Sequence, residues 1–259
     1  MLQGVVDRIG EQGYTMARRE RHTMTQLLYY DDAYIREFDA VVTGHSSDGA
    51  VILDRTAFYP GGGGQPNDVG TLTADGQTWQ VTKVKKDGGD IAHTVEGDAP
   101  AVGTHVHGVV GWERRYNLMR THTALHILCG VVFRDYGAQV TGGNMEPGSA
   151  RMDFEFERMQ QELVREIEER VNKEVAAARP VSSRILPRDE AFQIPDLIRT
   201  KINLLPQGIT EVRVVEIQGL DLQADGGTHV GNTREVGTIR VVDYQSKGKI
   251  NKRLRIALE

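Results

Sequence analysis

The sequence predicts an α+β protein, in which a glycine-rich, β-barrel-like domain precedes a two-layer α/β domain. Short alternating stretches separated by Asp-Gly turns run from Phe38 to Val110, as in a small all-β unit. From Glu113 the apolar pattern changes to the period of a helix, about 3.6 residues. We therefore expect residues 24–112 to form the β domain and residues 113–259 the α/β domain, after an N-terminal extension over residues 1–23.

Composition narrows the class of protein. The 259 residues are 39% hydrophobic and 26% charged, which is ordinary for a globular protein. No apolar run is long enough to cross a bilayer and no signal-peptide core is evident, so we expect a cytoplasmic monomer that binds no membrane. The single cysteine, Cys129, excludes an internal disulfide. A net charge of -5 argues against coating nucleic acid through overall charge, although a local basic patch remains compatible with it.

The β domain contains several short strands and one unusual loop. The predicted strands are residues 38–43, 50–53, 70–73, 78–84, 91–95 and 105–110. Three histidines on them, His93, His105 and His107, are expected to be structural or exposed. Between the second and third strands lie four consecutive glycines, Gly61, Gly62, Gly63 and Gly64. Glycine loses more backbone entropy on folding than other residues, and a loop without a function would have no reason to contain four of them. We therefore expect this loop to contact a ligand or another backbone.

The second domain is predicted to mix helices and strands. The predicted elements are a helix over 113–136, a strand over 150–156, a helix over 157–178, a helix over 188–203 interrupted by Pro195, a strand over 211–217, and a hairpin of strands 237–242 and 252–258. The first helix carries His122 and His126 on one face.

Two histidines four residues apart on a helix can bind one metal ion together, but a packed or exposed pair explains them equally well. A second motif favours the metal. Asp225 and His229 flank a Gly-Gly-Thr turn that can aim both side chains at one point. Together they complete a four-coordinate nitrogen and oxygen set typical of zinc. Cys129 also lies on the helix face, but we expect a buried apolar role for it.

A basic stretch near the C-terminus is a candidate phosphate-binding surface. Its cations are Lys247, Lys249, Lys252, Arg253 and Arg255. Cations on a hairpin can follow a nucleic-acid backbone. A solvated loop explains the same residues equally well.

Three motifs together resemble the AlaX family of freestanding alanyl-tRNA editing proteins, which are related to the editing domain of alanyl-tRNA synthetase. The motifs are Thr56-Ala57-Phe58-Tyr59 with Gly62-Gly63-Gly64-Gln65, then His122-Thr123-Ala124-Leu125-His126, and finally Gly226-Gly227-Thr228-His229-Val230. The resemblance extends from Thr25 to the C-terminus. It is closest to the medium-sized class, in which a glycine-rich domain precedes the metal domain.

The resemblance implies hydrolysis, in trans, of tRNA(Ala) mischarged chiefly with serine and also with glycine, by a deacylase holding one zinc ion per chain. With a tRNA substrate, the cations of the basic hairpin are expected to contact the tRNA backbone. Alanine is smaller than serine, so a steric filter cannot exclude it and the pocket must bind the extra hydroxyl. Thr56 is the first candidate for that group, followed by Gln65 and Thr123.

Two departures from the family bear on the site. Asp225 stands where many relatives have cysteine, which leaves either a site of three histidines and an aspartate or a three-histidine site completed by water. Leu125 stands where synthetase-attached domains carry a hydroxyl residue. Zinc could activate water or position the substrate, and the sequence leaves both open. No glutamate follows His122, which argues against a peptidase. The alternative is a non-catalytic tRNA-binding module with a structural zinc, which the missing thiolate disfavours.

Overall fold

The computed structural model describes residues 24–157, 159–200, 205 and 208–259. These residues form a mixed α+β protein, as predicted. The expected N-terminal extension, residues 1–23, lies outside the described residues. Within the described ranges, no helix is both long and apolar enough to span a bilayer.

The first half of the described chain contains a closed antiparallel barrel. Its elements are β1 (Gln26–Leu27), α1 (Leu28–Asp31), β2 (Glu37–His45), β3 (Val51–Leu53), β4 (Arg55–Thr56), β5 (Gly70–Ala74), β6 (Gln77–Asp87), β7 (Asp90–Val95) and β8 (His105–Val110). In the part that the structure describes, the barrel order is β2-β3-β7-β6-β5-β8, which includes every strand predicted for this domain. Closure leaves no barrel strand with an unpaired edge.

Alternation of side chains fills the barrel. On β8, Val106 and Val110 are buried while His105 and His107 face outward. The third barrel histidine, His93, is fully buried and belongs to the barrel core. All three therefore have the structural or exposed positions expected for them.

The second half contains two antiparallel sheets and the longer helices. Its elements are α2 (Trp112–Tyr136), β9 (Val140–Glu146), β10 (Ser149–Glu155), α3 (Gln161–Ala176), β11 (Val181–Pro187), α4 (Arg188–Ala191), β12 (Glu211–Ile217), β13 (Asp221–Ala224), β14 (Ile239–Ser246) and β15 (Asn251–Leu258). Among the described residues one sheet has the order β14-β15-β10-β9 and the other β11-β12-β13. The predicted C-terminal hairpin is confirmed. The two-layer arrangement and the domain boundary at residue 112 stay predictions.

Two predicted helices differ from the structure. The helix predicted over 157–178 begins later, at Gln161, and ends at Ala176. The helix predicted over 188–203 is wrong, because among the described residues 188–200 only Arg188–Ala191 is α-helical. Pro195 disfavours helical backbone at the residue before it, and Asp196 after it has a φ of 55°. The chain then reaches a parallel bridge between Thr200 and Val140, and residues 201–203 lie outside the described residues.

Helix α2 is buried more completely than its sequence pattern predicts. Every residue from Thr121 to Val132 is buried, so the helix has no continuous solvent face there. It packs against α3, β9, β10 and β13, which explains burial on several sides. Gly137 ends it in the left-handed conformation, with a φ of 66°. The face that carries the two histidines therefore lies inside the protein.

A buried ion pair joins α2 to the barrel domain. Arg115 has no exposed surface, and its guanidinium donates to a carboxylate oxygen of Asp68 and to the carbonyl of Ala33. The same oxygen of Asp68 accepts the backbone N–H of Tyr59 at 2.7 Å, and the N–H of Asp68 donates to the carbonyl of Tyr59. Tyr59 and Asp68 flank the glycine-rich loop. Both ends of that loop are thus fixed relative to α2.

Candidate metal centre

Four side chains converge where α2 meets the segment after β13. The potential donor atoms of His122, His126, Asp225 and His229 lie within 4.8 Å of one another. The rings of His122 and His229 stack with centroids 4.2 Å apart, and the ring of His126 lies edge-on to both. The two motifs that are about a hundred residues apart in the sequence therefore form one cluster. Its donors are those predicted for zinc.

His122 is oriented by a glutamine from the glycine-rich loop. Its Nδ1 lies 2.9 Å from Oε1 of Gln65. That oxygen also accepts the N–H of Thr228, while Nε2 of Gln65 donates to the Thr228 hydroxyl at 2.8 Å. These bonds identify Oε1 as an acceptor, so Nδ1 of His122 must carry the proton. Its Nε2 is left as a lone-pair donor toward the cluster, 3.5 Å from Asp225.

His126 is oriented by a buried carboxylate. Its Nδ1 lies 3.0 Å from Oδ2 of Asp221, which also accepts a hydrogen bond from Gln223. A carboxylate can only accept here, so Nδ1 of His126 donates and Nε2 is free. Arg199 lies 3.4 Å from the other oxygen of Asp221 and balances its charge. A carboxylate behind a histidine is a common outer partner in metal sites, because it fixes the tautomer and the ring orientation.

His229 has an outer partner that permits either tautomer. Its Nδ1 lies 3.2 Å from the Thr123 hydroxyl, and its Nε2 lies 3.0 Å from Oδ2 of Asp225. The Thr123 oxygen also accepts the N–H of Val230. A hydroxyl both donates and accepts, so Thr123 can accept a hydrogen bond from Nδ1–H or donate one to an unprotonated Nδ1. Nε2 of His229 can therefore donate to Asp225 in the metal-free protein or offer its lone pair to a metal.

Burial and neighbouring charges put most of these groups in the forms that bind metals. Burial lowers the pKa of His122 to about 4 and lowers that of His229 well below its usual value. Burial acts in the same direction on His126, but the hydrogen bond to Asp221 and its charge outweigh it, so this pKa is raised. Burial alone would raise the pKa of Asp225, but the imidazoles, His122 first, hold it well below its usual value. Neutral imidazoles and an ionised carboxylate are the required ligand forms.

Glycines allow two backbone segments to approach the cluster. All four residues of the predicted glycine loop, Gly61 to Gly64, have positive φ, between 58° and 135°. A Cβ at Gly63 would come within 3.8 Å of Asp225, so the loop lies beside the cluster. A Cβ at Gly227 would overlap the ring of His122 and come within 2.7 Å of Oε1 of Gln65. Glycine is required there because the backbone packs directly on a predicted ligand.

A cavity of about 740 Å³ lies beside the cluster. His122, His126 and Asp225 line part of it, and the glycine-rich loop, β9, the segment before β12 and the side chains of Tyr30 and Tyr59 line other parts. Leu125 and Cys129 are also lining residues. This volume is within the usual range for pockets that hold small molecules or a few connected groups. Burial strongly raises the pKa of the Cys129 thiol, which keeps it protonated, in accord with its expected apolar role.

The three predicted selectivity residues occupy different places. Thr56 is fully buried in the barrel, where its hydroxyl lies 2.9 Å from Nε2 of His93 and accepts the N–H of Phe58. It does not line the cavity, so the structure does not bring it to the cluster. Gln65 and Thr123 do reach the cluster, but Gln65 bonds to His122 and Thr228, and the Thr123 hydroxyl bonds to His229. Their role in selectivity stays a prediction.

The basic hairpin contains two cations that bind within the protein. Lys252 is 6% exposed, and its ammonium donates to the carbonyls of Gly248 at 2.8 Å and Lys249 at 3.0 Å. Arg253 donates two hydrogen bonds of 2.7 Å to Asp153. Both side chains therefore stabilise the hairpin itself.

Some residues of the site were not predicted. Asp221, Thr228 and Arg213 are the main ones, the last because it donates to the backbone carbonyls of Asp225 and Gly227. For Asp221 a signal exists in the sequence. Residues 221, 223 and 225 alternate along a strand and its continuation, so their side chains lie on one side, toward the metal helix.

Comparisons with known proteins agree with this geometry. A family model described as tRNA synthetases class II (A) matches residues 11–114, and one described as Threonyl and Alanyl tRNA synthetase second additional domain matches residues 212–255. The chain is 40% identical over 243 residues to an alanyl-tRNA editing protein AlaX-M of Methanosarcina acetivorans, covering 91% of this chain and 99% of that protein. It is 42% identical over 236 residues to the AlaX-M protein of Saccharolobus solfataricus, covering 89% and 98%.

Alanine–tRNA ligases match over a smaller share of their length. The ligase of Thermoplasma acidophilum is 39% identical over 223 residues, which is 84% of this chain but 25% of the ligase. The chain thus corresponds to one part of such a ligase and to nearly the whole of the freestanding proteins. With this identity over almost the full length of its relatives, the chain belongs to the AlaX-M family of alanyl-tRNA editing proteins.

Proposed function

We propose that this protein hydrolyses the ester bond of mischarged tRNA(Ala) in trans, chiefly when the tRNA carries serine and also when it carries glycine. The observation that carries this proposal is the cluster of His122, His126, His229 and Asp225, of which His122, His126 and Asp225 line a cavity large enough for an aminoacylated tRNA end. Membership of a family whose members are named alanyl-tRNA editing proteins supports the choice of substrate. Because its substrate is a tRNA used in translation, we place the reaction in the cytoplasm.

We propose zinc as the metal, one ion per chain, held by His122, His126, His229 and Asp225. The residues fit it, because tetrahedral zinc accepts both imidazole nitrogen and carboxylate oxygen. When bound, zinc supplies a Lewis acid beside the ester carbonyl.

The other residues hold the site in place before substrate arrives. Gln65 and Asp221 keep the protons of His122 and His126 on Nδ1. Thr123 accepts a hydrogen bond from Nδ1–H of His229 when the Nε2 lone pair of that ring faces the metal. Arg213 holds the turn after Asp225 by donating to its backbone. Fixing the donors in advance reduces the reorganisation needed when metal and substrate bind.

The tRNA backbone is proposed to contact the C-terminal hairpin. Lys247 and Lys249 are exposed there, and Arg255 is exposed while forming a 3.5 Å ion pair with Asp243. Exposed cations can exchange a weak surface pair for a phosphate at little cost. Lys252 and Arg253 contribute indirectly, since they hold the hairpin that presents the other three.

Deacylation of seryl-tRNA(Ala) by the full chain, before and after chelation, tests the proposal. Serine release should be lost on chelation and return with added zinc. A folded, zinc-loaded protein that binds tRNA(Ala) but releases neither serine nor glycine would instead favour a non-catalytic tRNA-binding module with a structural zinc. If serine release continues after the metal is removed, only the catalytic role of the metal would be rejected, and the proposed hydrolysis would stand.

A further inference from the structure

The proposed reaction needs a polar group that meets the serine side chain inside the cavity. Such a group must have a free donor or acceptor and must lose its contact with water when substrate binds, because only then is a missing substrate hydroxyl costly. The hydroxyl of Thr56 is bonded inside the barrel, and the polar atoms of Gln65 and Thr123 are bonded around the cluster. None of the three has a free atom facing the cavity.

Tyr30 meets both requirements. It lies on α1, just before the first barrel strand, is half-buried, and lines the cavity together with His122 and Asp225. Its hydroxyl lies 3.5 Å from where a Cβ would stand on Gly226, the residue next to Asp225. In the described part of the chain, no hydrogen-bond partner of this hydroxyl is found within the protein. At neutral pH a phenol is protonated, so its O–H can donate one hydrogen bond and its oxygen can accept another.

The ring of Tyr30 is held on two sides. It packs edge-on against the ring of the fully buried Tyr29, with centroids 5.0 Å apart. The guanidinium of Arg213 lies 5.2 Å from its ring centre and is itself held by backbone carbonyls around Asp225. A ring fixed in this way presents its hydroxyl at one position, which a discriminating contact requires.

Other polar groups on the cavity wall fit less well. The Tyr59 hydroxyl donates to the carbonyl of Gly62, and the Thr141 hydroxyl donates to Asn251. Asn144 is exposed, so water can replace any contact that a smaller substrate fails to make.

We propose that the Tyr30 hydroxyl is the specificity-determining group that hydrogen-bonds the side-chain hydroxyl of the seryl ester. This inference rests on the proposed function and deepens it. The contact exists for serine and is absent for glycine and alanine. It therefore gives selectivity without steric exclusion, as the size order of the amino acids demands.

The test uses kcat/KM of the zinc-loaded full chain on seryl-, glycyl- and alanyl-tRNA(Ala). Tyr30→Phe removes one oxygen and leaves the packed ring. It should lower seryl hydrolysis by roughly 10²-fold while glycyl hydrolysis changes far less, so that the seryl-to-glycyl ratio collapses. Zinc content and thermal midpoint should match the wild-type protein.

Tyr59→Phe is the matched control. It removes a neighbouring hydroxyl from the same cavity wall, but this hydroxyl is already bonded to Gly62. Any effect should therefore lower kcat/KM on seryl- and glycyl-tRNA(Ala) by the same factor. A Tyr30→Phe protein whose seryl-to-glycyl ratio equals the wild-type ratio, including one in which both rates fall together, would overturn the inference and leave the proposed function standing. A wild-type chain inactive on every tRNA would refute both.

Discussion

Buried histidines occur in both halves of this protein, and their hydrogen bonds differ. In the barrel, His93 has both ring nitrogens bonded, Nε2 to the hydroxyl of Thr56 at 2.9 Å and Nδ1 to the carbonyl of Val51 at 3.0 Å. On α2, His122 and His126 each have Nδ1 bonded to an outer partner, while Nε2 points toward the other members of the cluster.

Burial is therefore a poor guide to which histidine binds a ligand. His93 is the most buried of the three, and burial lowers its pKa to about 4, the same value as for His122. What differs is the group that each Nε2 faces. Nε2 of His93 bonds to a hydroxyl of the barrel core, whereas Nε2 of each cluster histidine faces other potential metal ligands, as in the 3.0 Å contact of His229 with Asp225.

The largest expected effect comes from removing one imidazole of the cluster. His126→Ala should abolish bound zinc and deacylation together, because too few ligands remain, and the same is expected at His122 and His229. Elemental analysis and the deacylation assay measure both properties. His93→Gln is the matched control and should keep its zinc. Full zinc occupancy in any of the three alanine variants would remove that histidine from the ligand set.

A smaller effect is expected from the outer partner of His126. Asp221→Asn keeps the shape and an acceptor but removes the charge, so zinc affinity should weaken by roughly 10- to 100-fold. Competition with a chromophoric chelator measures this. Asp153→Asn serves as a comparison, because Asp153 is similarly buried but pairs with Arg253. Equal affinities for the Asp221 and Asp153 variants would show that the outer carboxylate has no influence on the metal.

Burial of His93 in the barrel predicts a pH dependence of folding stability that does not involve the metal. Burial lowers the pKa of His93 from 6.5 to about 4, so as the pH falls the unfolded chain takes up this proton first. The stabilising contribution is present above pH 6.5 and is lost as the pH falls toward 4, by about 2 kcal/mol between pH 7 and pH 5. Urea unfolding of the metal-free protein at both values measures it. In His93→Gln this part of the pH dependence should disappear, and an unchanged dependence would contradict the prediction.

The smallest expected effect concerns the cations of the C-terminal hairpin. They too divide into side chains bonded within the protein and side chains that are exposed and can bind a ligand. Replacing the exposed Lys247 and Lys249 by Gln should lower the salt dependence of tRNA binding, by about one unit of slope per lost phosphate contact, without changing the preference for serine. Lys252→Gln should instead leave that slope unchanged and destabilise the folded chain by about 1 to 3 kcal/mol, because two carbonyls lose a buried donor. Binding titrations at several salt concentrations and urea unfolding separate the two. A reduced slope for Lys252→Gln would place its ammonium on the tRNA.

The sequence was most informative where a pattern is local. Helix α2 and the barrel strands follow from short-range periodicity, and the two metal motifs from fixed spacings within a few residues. The helix predicted over 188–203 failed because Pro195 and a bridge from Thr200 to the distant Val140 override local helix preference.

The partners of the metal ligands could not be predicted in the same way. Asp221 bonds to a histidine 95 positions earlier, and Gln65 to one 57 positions later. No local pattern contains such pairings. Thr56 illustrates the converse, since its place in a family motif favoured the active site while its hydroxyl is bonded within the barrel.

The long sequence separations around the metal centre also bear on how the chain folds. Gln65 and Thr228 are 163 positions apart, and Thr123 and His229 are 106 apart. Contacts of this kind form slowly, because the entropy of closing a long loop is lost before the contact stabilises anything. We therefore expect the centre to be among the last parts of the protein to assemble. Zinc added to a refolding chain should then slow unfolding while leaving the folding rate nearly unchanged.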